Sequence, residues 1–209
     1  YALFALGFTL IFGVQKLLNL AHGAVFMAGA FIAYYLVISG VPFWLAALVA
    51  MVASGLISVV IDIVAFRPLR ARGQAEFAAI VTSIGVDLIL INIAQRVSET
   101  RVLSFPFGTF PIEFYRILGI RISLLQILIL VAVGLILIGL VYYLQKTSFG
   151  RQVRAVSTNE RAAALLGVSA KSVYFQTFFI SGALAGLAGV LIGLSFNSIQ
   201  FLMGEPSML

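Results

Sequence analysis

Residues 147–171, TSFGRQVRAVSTNERAAALLGVSAK, form a charged segment between two apolar runs, at residues 123–144 and 173–194. Each run has the roughly 20 residues that a helix needs to cross the hydrocarbon core of a bilayer. Four further apolar runs precede them, at residues 1–14, 20–39, 44–65 and 77–95. The sequence therefore predicts six membrane-spanning helices, with a charged helical segment held between the last two.

The composition agrees with this prediction. The chain has 209 residues, of which 62% are hydrophobic and 10% are charged, whereas soluble domains have about 25% charged residues. So few charges could not cover a water-facing surface, and we expect an all-α, polytopic transmembrane bundle forming one domain over residues 1–209. The absence of cysteine excludes disulfides and thiolate metal sites. A single histidine excludes a multi-histidine metal site.

The start of the chain, YALFALGFTLIFGV, has neither a methionine nor a charged n-region, so it is not a signal peptide. We expect it to be a first span whose N-terminus is missing. Gly40 and Pro42 interrupt the apolar pattern between the second and third runs and predict a tight turn there.

The basic residues predict the orientation. Nine of the 13 lysines and arginines fall on one side of the predicted bundle, namely Lys16, Arg67, Arg70, Arg72, Lys146, Arg151, Arg154, Arg161 and Lys171. The positive-inside rule makes this side cytoplasmic and explains the net charge of +6 without invoking nucleic acid. The loop at 96–122 is then external. Its aromatic residues fit either a loop lying at the membrane interface or a docking surface for an external partner.

Within the charged segment, Ser157 and Glu160 have the spacing of a capping box at a helix N-terminus. The following ERAAALL favours helix, and Gly167 is suited to the left-handed residue that ends one. The predicted helix has about 10 residues and would be marginal alone in water. We expect either a partner that holds it, approaching closely over alanines 162–164, or a solvated basic loop.

Two stretches resemble the permease subunits of ATP-binding-cassette importers of the branched-chain amino acid type. One is TSFGRQVRAVSTNERAAALLGVSAKSVYFQTFFISGALAGLAGVL at residues 147–191, and the other is ALGFTLIFGVQKLLNLAHGAVFMAGAF at residues 5–31. The resemblance covers about residues 1–200. The family usually has further spans after the position of Gln200, where this chain continues FLMGEPSML.

The resemblance implies a type II-like importer permease in a bacterial cytoplasmic (inner) membrane, with no cofactor of its own. It implies as partners two cytoplasmic ATPase subunits that bind ATP, a second homologous permease and an extracytoplasmic substrate-binding protein. The loop 146–171 then carries a coupling helix that contacts an ATPase. The residues implied in coupling are Arg151, Arg154, Glu160, Arg161, Ala162, Ala163 and Gly167.

Polar residues within the spans are candidates for a substrate path. Asp87 lies near the middle of its span, where it could bind a substrate ammonium, carry a proton or pair with another helix. Asn92 falls on a nearby face of the same helix. His22, with Asn19 and the family-signature residue Gly23, forms a polar site at a span entry and is either a packed residue or part of the path. We expect Asp62 to pair or extend to the cytoplasmic surface near Arg67.

Small residues recur along the last span and predict close helix packing. They are Ser181, Gly182, Ala185, Gly186, Gly189 and Gly193. The packing partner is either another helix of this chain or a second permease subunit.

The favoured function is import of branched-chain amino acids, without enzymatic activity in this chain. One alternative is the same type of importer acting on urea or short amides. Another is an ion- or proton-coupled carrier that uses Asp87, although a carrier leaves the capped helix unexplained. An intramembrane hydrolase is disfavoured because the sequence has neither G-x-S-x-G nor H-E-x-x-H.

Overall fold

The structure is a computed structural model that describes residues 1–71, 75–106, 109, 114–117 and 120–204. Its helices are α1 (Ala2–Gln15), α2 (His22–Ile38), α3 (Phe43–Ile61), α4 (Arg67–Ala71), α5 (Ala75–Ser98), α6 (Leu124–Lys146), α7 (Ser148–Thr158), α8 (Glu160–Leu165) and α9 (Ala170–Phe196). A π-helical segment, Asp62–Phe66, joins α3 to α4. The long helices follow from runs of apolar residues free of internal proline, and the chain breaks where glycine, proline or charge interrupts them.

The six predicted apolar segments are all helical. Among the described residues, four stretches are long and apolar enough to cross a membrane: Phe43–Arg70, Phe77–Ser98, Leu124–Lys146 and Ala170–Phe196. The remaining two, α1 and α2, are apolar but have only 14 and 17 residues. At 1.5 Å per residue they are roughly 21 and 26 Å long, which is shorter than a typical hydrocarbon core. The all-α membrane bundle is thus confirmed, with two short helices at its beginning.

The last helix, α9, lies at the centre of the bundle and contacts α1, α2 and α3. Its small residues make these contacts possible. Gly186 lies against Gly29 of α2 and Ser54 of α3, and Gly189 lies against the backbone of Phe26. The small-residue stripe therefore packs on helices of the same chain, where a glycine face lets two backbones approach closely.

Helix α6 lies at the periphery. No residue in its most apolar stretch is buried, and the side chains of Leu130, Leu135 and Ile138 are exposed. An all-round apolar helix exposed in this way is suited to lipid, because hydrocarbon does not disfavour such side chains.

The two ends of the bundle differ in chemistry. At one end the apolar face of α7 packs with α1 and α9 through Val153, Val14 and Val173, beside the basic residues of α4 and α8. At the other end Gly40, with φ of 89°, forms the predicted turn between α2 and α3. There the Tyr35 hydroxyl donates to the carbonyl oxygen of Val97 at 3.0 Å. Basic residues predicted to share one side, Arg67, Arg70 and Lys171 among them, do lie together at the first end, whereas Arg72 lies outside the described residues. That this end faces the cytoplasm stays a prediction.

The predicted external loop contains a short antiparallel hairpin, β1 (Phe114–Ile117) and β2 (Ile120–Ser123), with Phe114 paired to Ser123. The sequence did not predict this hairpin. Gly108 and Pro111 of the same loop lie outside the described residues. Leu103, earlier in the loop, pairs with Ile199 just after α9, so the loop is anchored to the central helix.

The close contact between α2 and α9 can be tested with Gly29→Ala. A Cβ at Gly29 would overlap the backbone of Gly186, so we expect this variant to lose about 1–3 kcal/mol of stability. The matched control is Gly134→Ala in α6, where an added Cβ meets nothing within 4 Å. Thermal unfolding of the detergent-solubilised protein measures both. Equal midpoints for the two variants would contradict the glycine contact.

Candidate functional site

Between α1 and α2 the chain runs in non-helical conformation from the end of the bundle near Arg70 back towards its middle. Helix α1 ends at Gln15, followed by Lys16 with a φ of 55°, and α2 begins at His22. The Nε2 of His22 donates to the carbonyl oxygen of Phe4 at 3.2 Å. Nearby, the Ser181 hydroxyl donates to the carbonyl oxygen of Gly7 at 2.7 Å. Because Ser181 is close to the middle of α9, the N-terminus of α2 lies about halfway along the central helix.

This break carries buried polar atoms that have no partner among the described residues. Asn19 is 1% exposed, and neither its Nδ2 nor its Oδ1 makes a hydrogen bond. His22 is fully buried, and its Nδ1 makes none. Leaving a buried polar group unbonded costs about 1–3 kcal/mol, so such groups usually meet water or a polar solute. The arrangement is therefore suited to a hydrated or substrate-bound site.

A small cavity adjoins the N-terminal turn of α2. Its volume is about 20 Å³, enough for about one water molecule. Gly23 and Met27 of α2 line it together with Asp87 of α5 and Gly204. The structure thus brings the predicted path residues Gly23 and Asp87 to one cavity, beside the break that carries Asn19 and His22.

Asn92 lies elsewhere. Its side chain is exposed, and its Nδ2 donates to the carbonyl oxygen of Leu88 at 2.7 Å, within its own helix. Unlike Asp87, it is not among the residues that line the cavity.

The charged segment folds as two helices, and the predicted capping box is wrong. Ser157 belongs to α7, where its hydroxyl donates to the carbonyl oxygen of Arg154. The N-cap of α8 is instead Asn159, whose Oδ1 accepts from the amide of Ala162 at 3.0 Å. An asparagine side chain competes well for this position, so α8 starts later than predicted and has 6 residues rather than about 10.

The predicted C-terminus of α8 is correct. Gly167 has a φ of 82°, and its amide donates to the carbonyl oxygen of Ala164. The amide of Val168 donates to the carbonyl oxygen of Ala163. These two bonds form a Schellman motif, which needs the left-handed residue that glycine adopts without strain. The short helix is consequently closed at both ends.

The outward face of α8 is more apolar than the sequence analysis anticipated. Leu165 and Leu166, at the C-terminal end of α8, are 89% and 83% exposed. Arg161 and Ala162 are also exposed, whereas Ala163 is buried against the bundle. On α7, the side chains of Arg151 and Arg154 are exposed, and Arg154 donates to the carbonyl oxygen of Leu144 at 2.7 Å. Leu165 and Leu166 therefore form an exposed apolar patch at the C-terminal end of α8.

Behind α8 lies a polar cluster, defined here as Gln15, Asp62, Arg70, Glu160 and Tyr174. Arg70 Nη2 and Asp62 Oδ1 form an ion pair at 2.7 Å, so Asp62 pairs with Arg70. Arg70 Nη1 donates to Gln15 Oε1 at 2.9 Å, and the Tyr174 hydroxyl donates to Glu160 Oε2 at 2.8 Å. No sequence pattern marks this cluster, because its members come from separate helices. Only the expectation that Asp62 would pair with a nearby cation pointed towards it.

Comparisons with known proteins agree on one family. Residues 1–208 match the family described as the permease component of branched-chain amino acid transport systems. The chain is 30% identical over 212 residues to the high-affinity branched-chain amino acid transport system permease protein BraD of Pseudomonas aeruginosa, covering 96% of this chain and 68% of that protein. It is 26% identical over 216 residues to the corresponding LivH of Escherichia coli, covering 98% and 70%.

A more distant relative is named for another solute. The fructose import permease protein FruF of Bifidobacterium longum is 27% identical over 206 residues, covering 91% of this chain and 51% of that protein. No solved structure matches the chain.

The unbonded state of Asn19 can be tested by Asn19→Leu, which removes its polar atoms while keeping a similar shape. Because no protein partner is lost, we expect a thermal midpoint equal to or above that of the unchanged protein. The control, Ser181→Ala, removes a buried bond to Gly7 and should cost about 1 kcal/mol. A larger loss for Asn19→Leu than for Ser181→Ala would mean that Asn19 has a protein partner.

Proposed function

We propose that this chain, which belongs to the family of branched-chain amino acid transport system permease components, is a membrane-spanning subunit of an ATP-driven importer of branched-chain amino acids. The observation that carries the proposal is the family match over residues 1–208, joined to a fold in which apolar helices surround a buried polar break. The substrate assignment rests on the relatives BraD and LivH, whose similarity spans most of both chains.

The exposed face of α8 supports an ATPase partner. Leu165 and Leu166 offer apolar surface at the cytoplasmic end, on the same short helix as the exposed cation of Arg161. A short helix that is capped at both ends and exposed on one face can be inserted into a cleft as a unit. We assign ATP binding and hydrolysis to two cytoplasmic ATPase subunits. We assign no enzymatic step to this chain.

The break between α1 and α2 supports a role in the transport path. Asn19 and His22 offer unbonded polar atoms halfway through the bundle, and Asp87 lines the adjoining cavity. A zwitterionic amino acid needs hydrogen-bond partners for its carboxylate and a counter-charge for its ammonium, and these residue types supply both. A second permease subunit would enclose the path, and an external binding protein would deliver the substrate in a bacterial inner membrane.

Uptake of labelled leucine tests the function. The chain would be expressed with its neighbouring transport genes in cells that lack amino acid and urea importers. We expect leucine uptake that requires both this chain and an ATPase able to hydrolyse ATP. The control replaces the ATPase with a hydrolysis-deficient form. Uptake of urea alone would overturn the substrate, and leucine uptake that continues without ATP hydrolysis would overturn the importer mechanism in favour of a carrier.

Docking of the ATPase is tested by the double variant Leu165→Asp and Leu166→Asp. Burying two carboxylates in an apolar contact is costly, so we expect at least a tenfold loss of ATPase retained in copurification, with normal insertion into the membrane. Leu165→Met, which keeps the apolar surface, is the matched control and should retain the partner. Full retention by the double aspartate variant would show that α8 is not the contact.

A further inference from the structure

We propose that Arg70 is a positioning residue that transmits the position of α8 to the break between α1 and α2. The inference rests on the proposed function, since it concerns how the movement of an ATPase partner would reach the transport path. It is carried by the polar cluster, whose contacts join the cytoplasmic helix to the last residue before the break.

The first part of this connection runs from α8 into the bundle. Glu160 is the first residue of α8, and its Oε2 accepts from the Tyr174 hydroxyl at 2.8 Å. The Tyr174 side chain is buried near the start of α9. The Cζ of Arg70 lies 4.6 Å from the centroid of the Tyr174 ring, which is within the range of a cation–π contact. One tyrosine therefore touches both α8 and the arginine.

The second part runs from Arg70 to two other helices. Its Nη2 donates to Asp62 Oδ1 at 2.7 Å, and its Nη1 donates to Gln15 Oε1 at 2.9 Å. The side chains of Arg70 and Asp62 are only 18% and 7% exposed, so water screens the pair weakly. A planar guanidinium holding two acceptors and a ring at once has little freedom to rotate. Its position is consequently fixed relative to α1, the π-helical segment and α9 together.

The third part is covalent. Gln15 is the last residue of α1, and the break that carries Asn19 follows it directly. A shift of Arg70 that pulls on Gln15 therefore acts on the segment that holds the unbonded polar atoms. The chain of contacts is short, since only Tyr174, Arg70 and Gln15 lie between Glu160 and the break.

Space for movement is present beside the cluster. A cavity of about 290 Å³ is lined by Asp62, Arg67, Arg70, Glu160, Lys171 and Tyr174. Two further cations, Arg67 and Lys171, line the same cavity and can pair with the Glu160 carboxylate when it leaves Tyr174. The bond between Glu160 and Tyr174 is thus one that a displacement of α8 can break and re-form without leaving a carboxylate unpaired in the cavity.

The test uses the complete importer with its ATPase subunits, reconstituted in vesicles, and measures leucine transported per ATP hydrolysed. Tyr174→Phe removes only the hydroxyl and keeps the ring under Arg70. We expect about a tenfold lower ratio of transport to hydrolysis, as the loss of a hydrogen bond to a charged group allows. Complex assembly and basal ATP hydrolysis should stay unchanged, which a merely structural role would not predict. Tyr142→Phe is the matched control, because Tyr142 is 65% exposed and outside the cluster.

A second set of variants identifies the connection. Arg70→Lys keeps the charge but cannot hold Asp62, Gln15 and the ring together, so it should uncouple transport as Tyr174→Phe does. Glu160→Ala combined with Tyr174→Phe should be no worse than either alone, because both remove the same bond. Unchanged coupling in Tyr174→Phe, or additive losses in the double variant, would overturn the connection. A wild-type complex without uptake would instead overturn the proposed function.

Discussion

The close approach of glycine and serine backbones around α9 is the contact on which the rest of the structure depends. Hydrocarbon solvates leucine as well as a protein core does, so helices in a membrane gain little from simply burying apolar side chains. They associate through tight packing, and the small face of α9 allows it on three sides. With α9 fixed at the centre, its middle lies beside the start of α2 and its N-terminal end lies beside Arg70.

The break between α1 and α2 is tolerated only because this packing encloses it. Non-helical backbone cannot face lipid, since its amides and carbonyls would have no partners there. Leu17, Asn19 and Ala21, which alternate with more exposed residues along the break, are each at most 3% exposed. Their enclosure gives the protein a polar, irregular segment that runs from the end of the bundle near Arg70 to the middle of α9.

Sequence patterns sufficed for features that depend on neighbouring residues. The six apolar segments, the turn at Gly40 and the end of α8 at Gly167 were all predictable, because hydrophobic run length and positive φ are local properties. The start of α8 was predicted wrongly, because Ser157 and Asn159, two positions apart, compete for the cap and asparagine prevails. The polar cluster could not be predicted, because no local pattern signals that Gln15, Arg70 and Tyr174 will meet. Their meeting depends on how three helices pack.

The π-helical segment Asp62–Phe66 has a consequence for the register of everything after it. In an unbroken α-helix, residues eight apart are rotated by roughly 80° beyond two full turns, so Asp62 and Arg70 would point in different directions. The wider turns of a π segment hold an extra residue and remove most of that rotation. The local defect thus works as a phase correction, bringing an acid and a base onto one line along the helix. Deleting a single residue there would keep the span apolar and yet turn Arg70 away from Asp62.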